Sequence, residues 1–159
     1  MAERFPSPQD VYLFNQGTLY HSYKTLGAHL RTEKGQKGVR FSVWAPNAKA
    51  VSVVGDFNCW NGQANPMKKI RAAGIWTLFI PGLQAGELYK YQIITPYGET
   101  LLKTDPYAFY AECRPKSAGV VYDLGGYAWG DQNWDAEKQK THVYNRPVNI
   151  YEVHLGSWK

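Results

Sequence analysis

Two aromatic residues stand apart from the other rings of this chain. Trp60 and Tyr97 lie in stretches rich in Asn, Gly and Pro, beside polar neighbours rather than inside apolar runs. An exposed aromatic ring offers a flat apolar face that can stack on the C–H face of a sugar. A neighbouring amide or ammonium can then bond the sugar hydroxyls. Asn58, Trp60, Lys90 and Tyr97 make such a platform if the fold brings them together, the alternative being that these side chains merely pack. Phe41, Trp44, Trp76, Phe79, Tyr89 and Tyr91 sit in strand-like runs, and most of them are expected in the core.

Nothing else marks a reaction centre. There is no phosphate-cradling Gly-rich loop ending in Lys-Ser/Thr and no Gly-x-Ser-x-Gly elbow. His21, His29, His142 and His154 contain no close-spaced ligand pair, and Cys59 and Cys113 are too few for a zinc site. No metal, cofactor or catalytic residue is therefore expected. His154 shares strand period with Glu152 and reads as the polar face of a strand, while Asp56, Asp105 and Asp123 read as turn residues.

The 18 Lys and Arg against 13 Asp and Glu give a net charge of +5. The basic residues (Lys34 and Lys37, Lys68-Lys69 with Arg71, Lys138 with Lys140) are interrupted, unlike a stripe that tracks phosphates. No nucleic-acid partner is expected. No apolar run approaches the roughly 20 residues of a membrane span, and the first residues lack the basic and apolar regions of a secretory signal. The expectation is a cytoplasmic protein with free thiols and no membrane partner, although one bridge between Cys59 and Cys113 stays open.

The elements that must position the platform are short strands. In 159 residues, 44% are hydrophobic, 15% aromatic and only 19% charged, and 15 Gly with 9 Pro punctuate the chain. That composition favours strands and turns over long solvated helices. Val39, Phe41 and Val43 alternate with Arg40, Ser42 and Trp44, and Pro46-Asn47 ends the run. Further strands are expected in residues 50–54, 75–80 and 87–94, with weaker ones at 100–103 and 120–122. Their spacing predicts an all-β antiparallel sandwich. Ahead of it, Asp10 is expected to cap a short helix with Val11, Leu13 and Phe14 on its apolar side and Gly17 stopping it. Residues 131–146 are polar and read as a linker or loop, and Val148 to Leu155 reads as a strand of a further domain.

The ordered motifs carry a resemblance. Phe41-Ser-Val-Trp-Ala-Pro-Asn-Ala48, Val53-Val-Gly-Asp-Phe-Asn-Cys-Trp60, Gly74-Ile-Trp76 and Tyr89-Lys-Tyr91 resemble a family-48 carbohydrate-binding module. That resemblance implies an immunoglobulin-like β-sandwich placed before the catalytic barrel of an α-glucan enzyme. Leu26-Gly-Ala-His29, Asn65-Pro-Met67, Phe79-Ile-Pro-Gly82, Lys103 to Phe109 and Ile150 to Trp158 are similar to the 1,4-α-glucan (glycogen) branching enzymes. Gln63 and Asn65 depart from that pattern, standing where relatives often carry Arg and His.

The resemblance implies a leader in residues 1–23, the module in 24–128, and in 129–159 a linker with the first strand of a family-13 (β/α)₈ barrel. A barrel needs roughly 250 residues, so the implied catalytic machinery lies downstream and this segment is expected to be inactive by itself. Its expected partners are α-1,4-glucan, or glycogen, and that downstream barrel. By similarity to the glycogen-binding domain of the AMP-activated kinase β-subunit, Trp60 matches a first sugar-stacking ring. Lys90 matches its ammonium, and Tyr97 takes the place of a second ring. Two other readings are carried alongside: a structural domain that docks on the barrel without binding sugar, and the module of a debranching enzyme.

Overall fold

The computed structural model describes residues 6–140, 142–145 and 147–157. Residues 1–5 of the expected leader, Arg146 at the end of the polar stretch and Trp158 of the closing motif lie outside them. The chain divides into two compact units, Met1–Asp123 and Leu124–Lys159.

Among the described residues of the first unit, helix α1 (Pro8–Asn15) precedes nine strands. They are β1 (Gly27–Glu33), β2 (Gln36–Trp44), β3 (Ala50–Gly55), β4 (Lys68–Ile70) and β5 (Ile75–Pro81), followed by β6 (Leu88–Ile94), β7 (Thr100–Lys103), β8 (Tyr110–Ala111) and β9 (Gly119–Val120). One sheet has the order β1-β2-β5-β4; the other runs β3-β6-β9-β8, with β7 also paired to β6. Every pairing is antiparallel. The all-β sandwich expected from the spacing is what forms. Its first hairpin shows why local sequence suffices: Lys34 and Gly35 both have positive φ, 49° and 80°, the two-residue turn whose twist matches the strands it joins.

Strand alternation sets the core. Val39, Phe41 and Val43 of β2 point inward against Val51 and Val53 of β3 and Tyr89 and Tyr91 of β6. Phe41 meets Tyr89 edge-on at 5.0 Å between ring centroids. Trp44 breaks the expectation of a core ring: it takes the opposite parity to Val43, points outward and is 56% exposed, touching Phe14 of α1 edge-on. Val11 and Phe14 of α1 cover Leu26, Ala73 and Ile75 on that outer face. The helix is capped by Ser7, not by Asp10 as expected. Ser7 Oγ accepts the Asp10 N–H at 3.1 Å, and Asp10 Oδ2 accepts the Ser7 N–H at 2.9 Å, a reciprocal box with Asp10 three residues into the helix.

Asp105 is not a simple turn residue. Only 4% exposed, its carboxylate accepts the Tyr89 hydroxyl at 2.7 Å, the Tyr91 hydroxyl at 3.2 Å and the Tyr107 N–H at 2.8 Å. Burial raises its pKa above the usual carboxylate value, only partly countered by those three donors. Burial and the neighbouring carboxylate hold both tyrosines protonated, as donors.

In the second unit, the polar stretch expected as a loop contains helix α2 (Gln132–Lys140). Its nine residues include no Gly, Pro or β-branched side chain, and the Lys138 ammonium lies 4.7 Å from the Trp134 ring centroid, one turn away. The strand expected from Val148 to Leu155 is absent. Residues 147–154 adopt no regular element, and Leu155–Ser157 make one 3₁₀ turn with His154 Nδ1 2.9 Å from Ser157 Oγ. A strand needs a neighbour for its backbone groups, and no strand among the described residues pairs with this segment.

Asp105 governs a stability test. Its folded pKa is raised, so its contribution is full below the ordinary carboxylate range and is lost as pH rises through the folded value. His29, whose pKa burial lowers, acts in the opposite sense, so its contribution is lost as pH falls. Urea midpoints taken from about pH 4 to 8 on wild type and Asp105→Asn read the carboxylate together with its coupling to His29. The variant is expected to gain on wild type as pH rises. Asp105→Ala, which strands two buried hydroxyls, is expected to cost about 2–4 kcal/mol at low pH and less as pH rises.

Candidate functional site

The chain leaving β3 turns at once. Asp56–Asn58 form a single 3₁₀ turn, and Cys59 and Trp60 follow in the left-handed region at φ 53° and 58°. Side chains other than Gly are strained there by roughly 1–2 kcal/mol each. Asn58 holds the loop in that shape. Its Oδ1 accepts the Gly55 N–H at 3.0 Å, and its Nδ2 donates to the Val53 carbonyl at 3.0 Å and to Asn65 Oδ1 at 2.7 Å. Both amide hydrogens are thus spent inside the loop. Asn58 is a brace, with no donor left for a ligand.

Trp60 is held at both ends. Its backbone N–H donates to the Gly55 carbonyl at 2.9 Å, and its indole N–H donates to Asp56 Oδ1 at 2.7 Å. The residue remains 37% exposed, so the polar edge is tied back while part of the ring meets solvent.

Lys90 is placed by parity. Tyr89 and Tyr91 enter the core, so Lys90 and Gln92 of β6 project from the outer face of the five-stranded sheet. Lys90 pairs with Val54, directly before the Gly55 root of the Trp60 loop. Its ammonium donates to Ser117 Oγ at 3.0 Å, a neutral acceptor, and keeps two further hydrogens. The loop then runs back along β6: a Cβ on Gly62 would lie 2.1 Å from Gln92 Nε2, so only glycine lets the amide side chain sit there undisturbed. The Asn65 carbonyl accepts the Val53 N–H at 3.1 Å and fixes the loop's return. Cys59 and Cys113 are both exposed and unbridged.

Tyr97 occupies the turn between β6 and β7 and is 92% exposed. That turn is closed by Gly98 N–H to the Thr95 carbonyl at 3.0 Å and Glu99 N–H to Thr95 Oγ1 at 3.1 Å. The structure therefore brings the Trp60 loop and Lys90 to one end of β6 and leaves Tyr97 at the hairpin tip beyond the other. Asp56, Gln92 and Ser117 escaped the sequence reading. Gln92 was legible from its two-residue step beyond Lys90; Asp56 and Ser117 act from a turn and from the distant connection between β8 and β9, which spacing does not reveal.

An apolar ring face, an ammonium paired to a hydroxyl and a side-chain amide suit a neutral, hydroxyl-rich ligand. Among the described residues no group of three or more metal-ligating side chains converges, and no helix is long and apolar enough to cross a membrane.

Comparison with known proteins places the chain in a family. Residues 25–108 match the family model of carbohydrate-binding module 48 (isoamylase N-terminal domain). The whole chain is 57% identical to a 1,4-alpha-glucan branching enzyme of Halothermothrix orenii and 51% identical to one of Bacillus subtilis. It spans 25% of the length of each. Among solved structures, the pullulanase of Klebsiella pneumoniae complexed with maltotriose aligns with a TM-score of 0.52 at 30% identity, over 70% of this chain and 11% of the pullulanase.

Asn58→Ala tests the brace. Three hydrogen bonds are lost and two left-handed residues lose their support, so unfolding in urea is expected to show a loss of about 2–3 kcal/mol. The Trp60 indole N–H resonance should shift and exchange faster in the same variant. An unchanged midpoint with an unchanged indole signal would mean that the loop holds its shape by other means.

Proposed function

Because this chain belongs to the carbohydrate-binding module 48 family, we propose that it serves as the α-glucan-binding accessory module of a larger glycogen branching enzyme. The observation that carries the reading is the pairing of Val54 with Lys90, which sets an outward ammonium beside the root of the loop bearing Trp60. Trp60 supplies the stacking face, Lys90 the donors to sugar hydroxyls, and Asn58 the brace behind them. Tyr97, at the hairpin tip, serves as an outlying ring for a longer chain.

The relatives favour a branching over a debranching parent: identity is 57% to a branching enzyme against 30% to a pullulanase. In such a parent, a retaining barrel transfers an α-1,4-glucan segment to a 6-hydroxyl through a covalent glycosyl-enzyme. Residues 1–23 then form the leader, 24–128 the module, and 129–159 the linker and the opening of the barrel, which is the second partner. This chain by itself transforms nothing. Its exposed, unbridged thiols fit a reducing, cytoplasmic setting.

A shallow platform buries little of its ligand, so maltoheptaose is expected to bind with a dissociation constant of roughly 0.1 to a few millimolar. Trp60→Ala should weaken binding about tenfold or more, and Lys90→Ala by less. The glucan is uncharged, so affinity should barely change with salt. An NMR titration reads all three. Resonances of Trp60 and Lys90 that do not move at high sugar would instead support a domain that only docks.

A further inference from the structure

We infer that the outer face of the five-stranded sheet carries a second glucan-contacting platform, the ring pair of Tyr110 and Tyr122, on which a chain already held at Trp60 and Lys90 continues; this rests on the glucan-binding reading above. Placement comes first. Val121 is buried in the core, so Val120 and Tyr122 on either side of it face outward. Tyr110 pairs with Val120, and Val120 pairs with Leu88, whose next outward neighbour along β6 is Lys90. The tyrosines and Lys90 therefore share one face. From β6 to β8 is two inter-strand steps, about 10 Å, and from Leu88 to Lys90 about 7 Å along the strand, so a single maltoheptaose can reach both.

The geometry then selects the ligand. The two rings lie 5.6 Å apart between centroids and are tilted by 38°. Successive sugars of an α-1,4-glucan turn relative to one another, so a tilted pair follows that curvature, whereas the flat ribbon of a β-1,4-glucan asks for coplanar rings. Tyr110 is 53% and Tyr122 48% exposed, and neither belongs to an apolar cluster of the core. Their rings are thus free to stack on a second part of the same polymer, raising affinity through linkage rather than through a stronger first contact.

The test uses the 159-residue chain with maltotriose, maltoheptaose and cellohexaose, followed by calorimetry and NMR. Wild type is expected to bind maltoheptaose about tenfold more tightly than maltotriose. Tyr110→Ala and Tyr122→Ala should lose that gain while binding maltotriose as wild type does. Tyr110→Phe and Tyr122→Phe, which keep the ring, should retain it, and cellohexaose should leave both tyrosines unperturbed. If an alanine variant unfolds, ring-proton shifts in wild type decide: movement of Tyr110 and Tyr122 with maltoheptaose but not maltotriose supports the platform. Should Trp60→Ala abolish binding while both tyrosine variants hold maltoheptaose like wild type, this inference falls and the glucan-binding reading stands. Should no sugar move either platform, both fall, and the exposed face is left to a protein neighbour.

Discussion

The contact between the Asp105 carboxylate and the hydroxyls of Tyr89 and Tyr91 fixes which way β6 faces. A one-residue slip in a strand moves every side chain to the other side of the sheet. Both tyrosines are wholly buried, and their hydroxyls find an acceptor only if residues 89 and 91 point inward together. Tyr91 also lies 3.5 Å from the Ser42 carbonyl of the opposite sheet, so the same ring spans the sandwich. With that parity set, Lys90 and Gln92 have no choice but the outer face. The buried carboxylate is costly to desolvate, and its three donors compensate that cost only in one register. Specificity of pairing is what the arrangement gains.

Local strain at Cys59 and Trp60 has the same logic at smaller scale. Two successive non-glycine residues at positive φ are unfavourable in isolation. They persist because Asn58 bonds three ways and Asp56 anchors the indole. A ring so fixed has little freedom left to lose when a ligand stacks on it, which matters for a shallow site whose gross contact energy is small. The loop thus converts hydrogen bonds that never touch a ligand into a pre-positioned face.

The sandwich was legible because its signals are local, the alternation in β2 and the strand-like run of β6 among them; β1 and the Lys34-Gly35 turn that joins it to β2 were not read. Of the candidate site, the placement of Trp60 in a polar loop and of Lys90 in a strand was legible, since their neighbours in sequence mark both. What escaped depends on partners distant in sequence. Ser7 displaced Asp10 as helix cap because Pro8 at the first helical position moved the start forward. Asp105 looked like a turn residue because its neighbours Thr104 and Pro106 are turn formers; its burial comes from tyrosines 16 and 14 residues away. The helix at residues 132–140 is held by contacts one turn apart, visible as Trp134 and Lys138 only once a helix is assumed. Residues 148–155 have the composition of a strand, but composition does not supply a pairing edge.

The acceptor beside Lys90 bears on how the face would work under the proposed function. Had the ammonium met a carboxylate, a sugar hydroxyl would have had to displace a charged acceptor at a net loss. Its partner is the Ser117 hydroxyl instead, so a sugar oxygen either replaces it by a like acceptor or takes one of the two remaining hydrogens. Either exchange is nearly balanced against water, as neutral acceptors are in general. Under the proposed function Lys90 would therefore contribute orientation more than affinity, and the affinity would come from apolar stacking. One ring gives little of that, and an uncharged ligand offers no long-range attraction to make up the difference. A glucan-binding module built this way would gain strength only by meeting the polymer at more than one ring, so on the proposed reading the spread of exposed aromatics over the outer sheet face, rather than any single contact, would set how firmly a long glucan is held.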